Sequence, residues 1–412
     1  MRRFITNIQV NHLYHLSGFS IPVNDDSYPH LIITGRNGSG KTVLLNALAD
    51  FLDTIKDDKS LDFLRYDKWL EESKSFLKEA ENSEDRMRSE QNIEYFEKRI
   101  KEIYGKVNLT FRSVENLISD YQKGDFIITL YKADRKSRMK EPKNPTKPDY
   151  RIKGESRATL TDQFLNFLSD LKIQEALARN EGQMEDADGI AAWFVDFEGL
   201  LRQIYQDDEL ALEFNYRDYS FRINTEGKSF KFTEMSDGFA ATLDIIADLI
   251  LKMQTGDSLV RAYMKKGIVL IDEVETHLHL ELQRTIMPLL TNIFPNIQFI
   301  VTTHSPFVLN SMNNAVAFDL ERREIISDLT DYSYESLAEG YFGVRTNSSY
   351  AEMQLDRLEH LLSQPSRLST LDAAAVKYIL QDFGKIPESV SPLLVGRFRQ
   401  LISNYADKIK SL

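Results

Sequence analysis

The chain has no cysteine. That excludes disulfides, thiolate nucleophiles and zinc sites built on thiolates, and it suits a reducing interior, so a cytoplasmic location is expected. Long apolar runs are also missing. Nothing approaches the roughly 18 residues a membrane span needs, and the opening MRRFITNIQVNHLYHL lacks the apolar core and cleavage site of an export signal, so no membrane association is expected. Excess positive charge is absent too. A net charge of −12 argues against a chain wrapped in nucleic acid, because phosphate binding draws on clustered Lys and Arg. Finally, neither glycine nor proline occurs between Asp58 and Tyr104, so nothing there punctuates a helix.

What is present suffices for a substantial core: 42% of the 412 residues are apolar, enough for one large domain or two to three ordinary ones. RFITNIQV, FSIPV and HLIITG read as short strands, the last one buried and running through glycines into the helical spacing of TVLLNALADFL. In the unpunctuated stretch, Tyr66, Trp69, Leu70, Phe76 and Leu77, then Ile93, Phe96, Ile100 and Ile103, recur at helical intervals around a polar interruption. This fits either a hairpin with arms of roughly 20 residues, about 30 Å long, or two surface helices lying flat on the core. Strands return at 107–113 and 125–133, a helical stretch covers about 160–207, and a β-meander follows. Apolar strands at 268–271 and 299–302 then alternate with helices, the pattern of a parallel sheet covered on both faces. One segment runs against the acidic balance. Residues 132–153 carry nine Lys or Arg against three acids, which suits a solvated loop or a DNA, RNA or partner contact.

GRNGSGKT, from Gly35 through Arg36, Asn37, Gly38, Ser39 and Gly40 to Lys41 and Thr42, matches the phosphate-loop pattern between a strand and a helix. Its glycines let backbone N–H groups turn onto phosphate oxygens; Lys41 reaches the outer phosphates and Thr42 suits Mg2+. GIVLIDEVETHLH sets Asp272 and Glu273 just past an apolar strand, where open α/β sheets bind ligands, with Asp272 as a metal ligand and Glu273 to orient or deprotonate water. QFIVTTHSPFVL puts His304 at another strand end, within reach of a γ-phosphate. ATP and Mg2+ are the cofactors this set implies.

GRNGSGKT, MSDGF, IDEVETHLH and VTTHSP together resemble the ABC-type ATPase heads of the SMC, RecF and OLD class. ETHLH followed by TTHSP looks like the OLD and RecF-like ATPases, including ATPase subunits of bacterial anti-phage systems of the Septu, PARIS and Gabija types. The resemblance implies that Ser236 and Gly238 touch the γ-phosphate bound to a second subunit, that a glutamine matched by Gln163 links the metal to a helical lobe, and that His277 opens a loop contacting the partner or capping a helix. Asp237 and Phe239 depart from the family's glycine and glutamine. It also implies an α/β P-loop NTPase head with a β-rich N-terminal lobe, a helical insertion and a helical C-terminal appendage. The expected divisions are 1–56 and 211–325 as the two parts of the head, 57–106 as the hairpin, 107–158 as a β lobe with the basic loop, 159–210 as a helical lobe and 326–412 as the appendage.

Such ATPases drive other activities, but no nuclease is expected within this chain. The D-x-D at Asp186 and Asp188 has no apolar strand leading into it, and the histidines form only two close pairs, His12 with His15 and His277 with His279. Two readings follow: an ATP-dependent homodimer or higher oligomer acting as sensor subunit for a separately encoded nuclease or toxin in a defence system, or a RecF-like repair or chromosome-maintenance ATPase that binds DNA directly. A nucleotide-binding scaffold with poor turnover is a third.

Overall fold

In the computed structural model, the described residues are 4–23, 30–58, 61–135, 139–142, 159–254, 263–326, 337, 349–364, 368–385 and 392–410. Much of the basic segment, and most of the stretch between residues 327 and 348, lies outside them. The chain divides into two compact units, Met1–Tyr334 and Glu335–Leu412.

A six-stranded sheet forms the centre of the first unit: β3 (His30–Thr34), β5 (Phe126–Tyr131), β9 (Lys266–Ile271), β10 (Ile297–Thr302), β11 (Ala315–Asp319) and β12 (Glu324–Ile326). The spatial order is β12-β11-β3-β10-β9-β5, and every pairing is parallel except the β11–β12 hairpin. Parallel strands are covered on both faces, which is why Leu31–Ile33, Ile268–Ile271 and Phe299–Val301 read as unbroken apolar runs; all of these are buried. Helix α1 (Lys41–Asp57) follows β3 and buries Leu44, Leu45, Leu48 and Leu52. A second sheet, order β2-β1-β4, is antiparallel and consists of β1 (Ile5–Leu13), β2 (Leu16–Pro22) and β4 (Val107–Phe111). The Gln298 side chain ties its start to the central sheet, accepting from the Phe4 and Ile5 amides at 3.1 and 2.8 Å and donating to the Ile5 carbonyl at 3.0 Å.

Between these elements, α2 (Tyr66–Glu79) and α3 (Ser83–Tyr104) pack against each other. Only Tyr66 and Ser73 on α2 and Ser89 and Ile103 on α3 are buried, so the pair forms a hairpin rooted in the core near Tyr66 and Ile103, rather than two helices lying flat. Its arms are unequal, about 21 and 33 Å at 1.5 Å per residue. Helix α4 (Val114–Gln122) leads into β5. The helical lobe is α5 (Phe164–Asn180) and α6 (Met184–Tyr205), joined by an aromatic cluster in which Trp193 stacks on Phe197 at 5.3 Å and meets Phe167 edge-on at 5.6 Å. Asp186 and Asp188 fall in the first turns of α6, and Asp188 pairs with Arg179 at 3.1 Å. A small antiparallel sheet, β6 (Ala211–Asn215), β7 (Ser220–Thr225) and β8 (Lys228–Lys231), precedes helix α7 (Asp237–Met253), which is buried along nearly its whole length. Helices α8 (Leu280–Ile293) and α9 (Pro306–Leu309) are the last described helices of the unit. No described helix is long and apolar enough to cross a membrane.

Among the described residues, the second unit comprises α10 (Ser349–Ser363), α11 (Thr370–Phe383), α12 (Pro392–Asn404) and α13 (Ala406–Lys410) around Leu355, Leu358, Val376, Ile379 and Phe398. Arg397 clamps Asp356 at 2.7 Å and Glu359 at 2.8 Å across it.

Candidate functional site

Sheet order sets β10 between β3 and β9, and register levels their ends. Thr302 lies opposite Ile33, and Val301 lies opposite Ile271. The residues after each strand, Gly35, Asp272 and Thr303, therefore emerge side by side at one edge.

The loop Gly35–Gly40 turns on three positive-φ glycines: Gly35, Gly38 and Gly40, at 138°, 82° and 99°. At Gly40 a Cβ would also stand 2.9 Å from Leu16 Cδ1, so the hairpin β1–β2 crowds the loop from outside. His15 Nε2 lies 3.0 Å from the Ser39 carbonyl oxygen. Arg36, Asn37 and Gly38 are exposed, with Arg36 3.7 Å from Glu321. Lys41 is buried and its ammonium donates to the Gly35 and Arg36 carbonyls at 2.8 and 3.1 Å. Burial lowers its pKa against the pull of Glu273, Glu275 and Asp272. Ser39 Oγ is buried with no hydrogen-bond partner among the described residues. A lysine held by loop carbonyls and an unpaired hydroxyl, on a glycine-rich turn ahead of a helix, is a donor set that suits a phosphate.

Across from it, the buried carboxylate of Asp272 accepts from Thr42 Oγ1 at 3.2 Å and from Thr302 Oγ1 at 2.6 Å. The Thr302 oxygen in turn accepts from the Glu273 amide at 2.8 Å. Glu273 holds φ 44°, a left-handed conformation that costs a non-glycine residue about 1–3 kcal/mol and persists only where its surroundings fix it. Its carboxylate is partly exposed and comes within 4.0 Å of His304 Nε2. Burial first, and the Lys41 charge second, hold the His304 imidazole below its usual range, so at neutral pH this contact joins a neutral ring to a carboxylate.

Three further groups at this edge received no role from the sequence. Glu275 accepts from Thr303 Oγ1 at 2.8 Å and from the His304 amide at 2.5 Å, and burial raises its pKa. Arg135, four residues past β5, donates to the Asp272, Glu273 and Val274 carbonyls. Gln283 accepts from Ser305 Oγ at 2.6 Å, holding the strand exit beyond His304. Arg135 had a readable signal, since it follows an apolar strand just as Asp272 does. Glu275 opens ETHLH, but nothing in that stretch marked it as the acceptor for Thr303 and the His304 amide.

Ser236 occupies the N-cap position of α7, but its side chain makes no cap hydrogen bond, and both it and Asp237 are exposed. Gly238 is buried; a Cβ there would stand 2.8 Å from the His277 carbonyl oxygen. Phe239 stacks on Tyr205 at 4.2 Å and meets the His279 ring edge-on at 5.4 Å. Thus the start of α7 is seated on the loop that follows Glu273, where His277 has φ 69°. Gln163 ends a single 3-10 turn, Thr161–Gln163, and its amide bonds to the Leu160 carbonyl at 2.8 Å; none of the hydrogen bonds described above at Lys41, Thr42 and Asp272 involves it. Of the basic segment, residues 136–138 and 143–153 lie outside the described residues, and Lys140 pairs with Asp162 at 3.4 Å.

Residues 31–310 match the model of the family described as "AAA domain, putative AbiEii toxin, Type IV TA system". The Septu protein PtuA of Bacillus mycoides (strain KBAB4) is 24% identical over 380 residues, covering 89% of this chain and 48% of that protein. The Retron Vc95 probable ATPase of Vibrio cholerae serotype O1 biovar El Tor is 34% identical over 131 residues, 31% of this chain and 24% of that one. In these two alignments this chain spans half or less of the length of the curated relatives. A solved SMC head bound to the C-winged helix domain of ScpA aligns over 77% of this chain and 94% of its own, at a TM-score of 0.35 and 12% identity, too remote to carry an argument.

Proposed function

Because the chain belongs to the AAA domain family that its residues 31–310 match, we propose that it binds ATP with Mg2+ at the edge formed by β3, β9 and β10, and hydrolyses it there. The observation that carries this reading is the 3.2 Å approach of Thr42 Oγ1 to Asp272 Oδ1, with Lys41, Glu273 and His304 around it. In this reading Gly35 to Gly40 wrap the phosphates, Lys41 binds the outer ones, and Ser39 donates its spare hydroxyl. Thr42 at the start of α1 and Asp272 just past β9, two oxygens converging from different elements, fit a hard cation and would hold Mg2+, which would supply positive charge beside the transferred phosphoryl group. Glu273 orients and deprotonates water, and His304, neutral at pH 7, hydrogen-bonds the γ-phosphate. Gln163 joins the metal's surroundings only by analogy with related heads.

Ser236 and Gly238 complete the site of a second copy, supported by the exposure of Ser236 at the uncapped start of α7. The head is then residues 1–56 and 211–325 with the hairpin 57–106 as an insertion, 159–210 as a helical lobe and 326–412 as an appendage; the segment 107–158, expected as a separate β lobe, instead gives β5 to the central sheet and β4 to the sheet of β1. The similarity to a Septu protein and to a retron ATPase supports a role as the ATPase and sensor subunit of an anti-phage defence complex, controlling a separately encoded nuclease or toxin. Direct DNA binding in the RecF manner draws less support, because Arg135 of the basic segment is spent on the Asp272–Val274 carbonyls and Lys140 on Asp162.

The test is Glu273→Gln. With ATP and Mg2+ present, this variant should retain nucleotide and double its mass in size-exclusion chromatography with light scattering, while releasing phosphate at least about 100-fold more slowly. An unchanged mass would remove the shared site. Wild-type phosphate release would remove the role given to Glu273.

A further inference from the structure

The left-handed turn at Glu273 needs something to hold it, and one side chain converges on it from another strand. Arg135 Nη1 donates to the Asp272 carbonyl at 2.9 Å, while Nη2 donates to the Glu273 carbonyl at 3.1 Å and reaches the Val274 carbonyl at 3.4 Å. Three consecutive carbonyls therefore face one guanidinium. The same Nη1 donates to the Lys132 carbonyl at 2.9 Å, which anchors the arginine to its own strand exit. The turn is gripped from its other side by Thr302, whose hydroxyl receives the Glu273 amide at 2.8 Å and whose carbonyl receives the Val274 amide at 3.1 Å.

Two features set this apart from an ordinary structural arginine. Its Nε is buried with no hydrogen-bond partner among the described residues, a state uncommon in native proteins. Its charge also lies near the acids of the site, Glu275, Asp272 and Glu273, and near Asp244 of α7. A planar fork with fixed donor directions suits several carbonyls in a row, whereas a lysine, a point charge on a flexible stem, cannot reproduce it.

We propose that Arg135 is a positioning residue for hydrolysis: by fixing the carbonyls of Asp272, Glu273 and Val274 it sets the backbone turn that aims the Glu273 carboxylate. Arg135 touches neither nucleotide nor metal in this account, and it acts only through Glu273. The inference rests on the ATPase reading above and extends it to a residue that no phosphate-site motif contains.

The experiment measures ATP affinity by equilibrium binding of a fluorescent ATP analogue, and hydrolysis by phosphate release, on the full chain. The variants are Arg135→Lys, Arg135→Gln, Glu273→Gln and the double variant Arg135→Lys with Glu273→Gln. Arg135→Lys keeps the charge and is the variant most certain to fold. Expected are a kcat lower by about 100-fold in both Arg135 single variants, an ATP affinity within about threefold of wild type, and a double variant no slower than Glu273→Gln alone. Wild-type turnover in Arg135→Lys overturns the proposal, as does a further independent loss in the double variant. If Glu273→Gln itself hydrolyses ATP normally, the reading of Glu273 has failed and Arg135 falls with it. If Glu273→Gln is inactive while Arg135→Lys and Arg135→Gln are not, only the role of Arg135 is lost.

Discussion

The sheet edge around Asp272 and the start of α7 make opposite use of polar groups. At the edge, hydroxyls, amides and carboxylates from the start of α1 and the ends of β9 and β10 bind one another: Thr42 and Thr302 meet on Asp272, and Thr303 and the His304 amide meet on Glu275. At α7 the cap position is filled by a serine whose hydroxyl makes no cap bond, next to an exposed aspartate. The first region pairs most of its groups within itself, Ser39 Oγ and Arg135 Nε excepted, and the second leaves its serine hydroxyl uncapped. A buried polar group left unpaired costs about 1–3 kcal/mol, so a closed network is what a lone chain favours; open donors cost little only at a surface, where another molecule can meet them.

Several experiments would break or sharpen that contrast. The largest effect is expected inside the closed region. Lys41→Ala should lower phosphate release by about 1,000-fold and abolish ATP retention on a desalting column, and near-normal turnover would show that the loop is not the phosphate site. Thr302→Val removes the hydroxyl that joins Asp272 to the Glu273 amide, and should destabilise the fold by about 1–3 kcal/mol in urea unfolding. Gly238→Ala places a methyl group against the His277 carbonyl and should lower stability by about 1–3 kcal/mol. Its neighbour Ser236→Ala should change stability by less than about 0.5 kcal/mol, yet diminish the ATP-dependent mass increase. If the serine change proved the more destabilising of the two, α7 would be a closed region as well.

The smallest effect concerns pH. His304 has its folded pKa below the ordinary 6.5, so the unfolded chain takes up the proton first. The stability associated with this ring is therefore present above pH 6.5 and drains as pH falls through the lower folded value. Thermal midpoints of wild type and His304→Gln between pH 7.5 and 5.5 should converge on the acid side, and a gap that widens would give the opposite sign.

The closed region was legible in the sequence where chemistry and chain contiguity coincide. GRNGSGKT and IDE each follow an apolar run whose burial on both faces of a parallel sheet leaves no polar alternation, so strand end and motif mark each other. Arg135 read instead as one cation in a basic run, because its partners are backbone carbonyls in the turn after β9, 137 to 139 residues away, and carbonyls have no letter in the sequence. Thr302 was hidden for a similar reason. Its bridge to Asp272 depends on the register between β9 and β10, which local pattern does not determine. The hairpin showed its helical period, but which face met the core depended on how few of its residues were buried, Tyr66 and Ile103 among them.

The seat of Gly238 under the His277 carbonyl gives the two ends of this chain's chemistry a common carrier. His277 stands four residues beyond Glu273, so a shift of that loop carries along the helix start that would face a neighbouring copy. In a symmetric pair each copy would hold the lever of the other's site, and ATP binding to the two sites should be cooperative, with a Hill coefficient above one that Gly238→Ala brings back toward one.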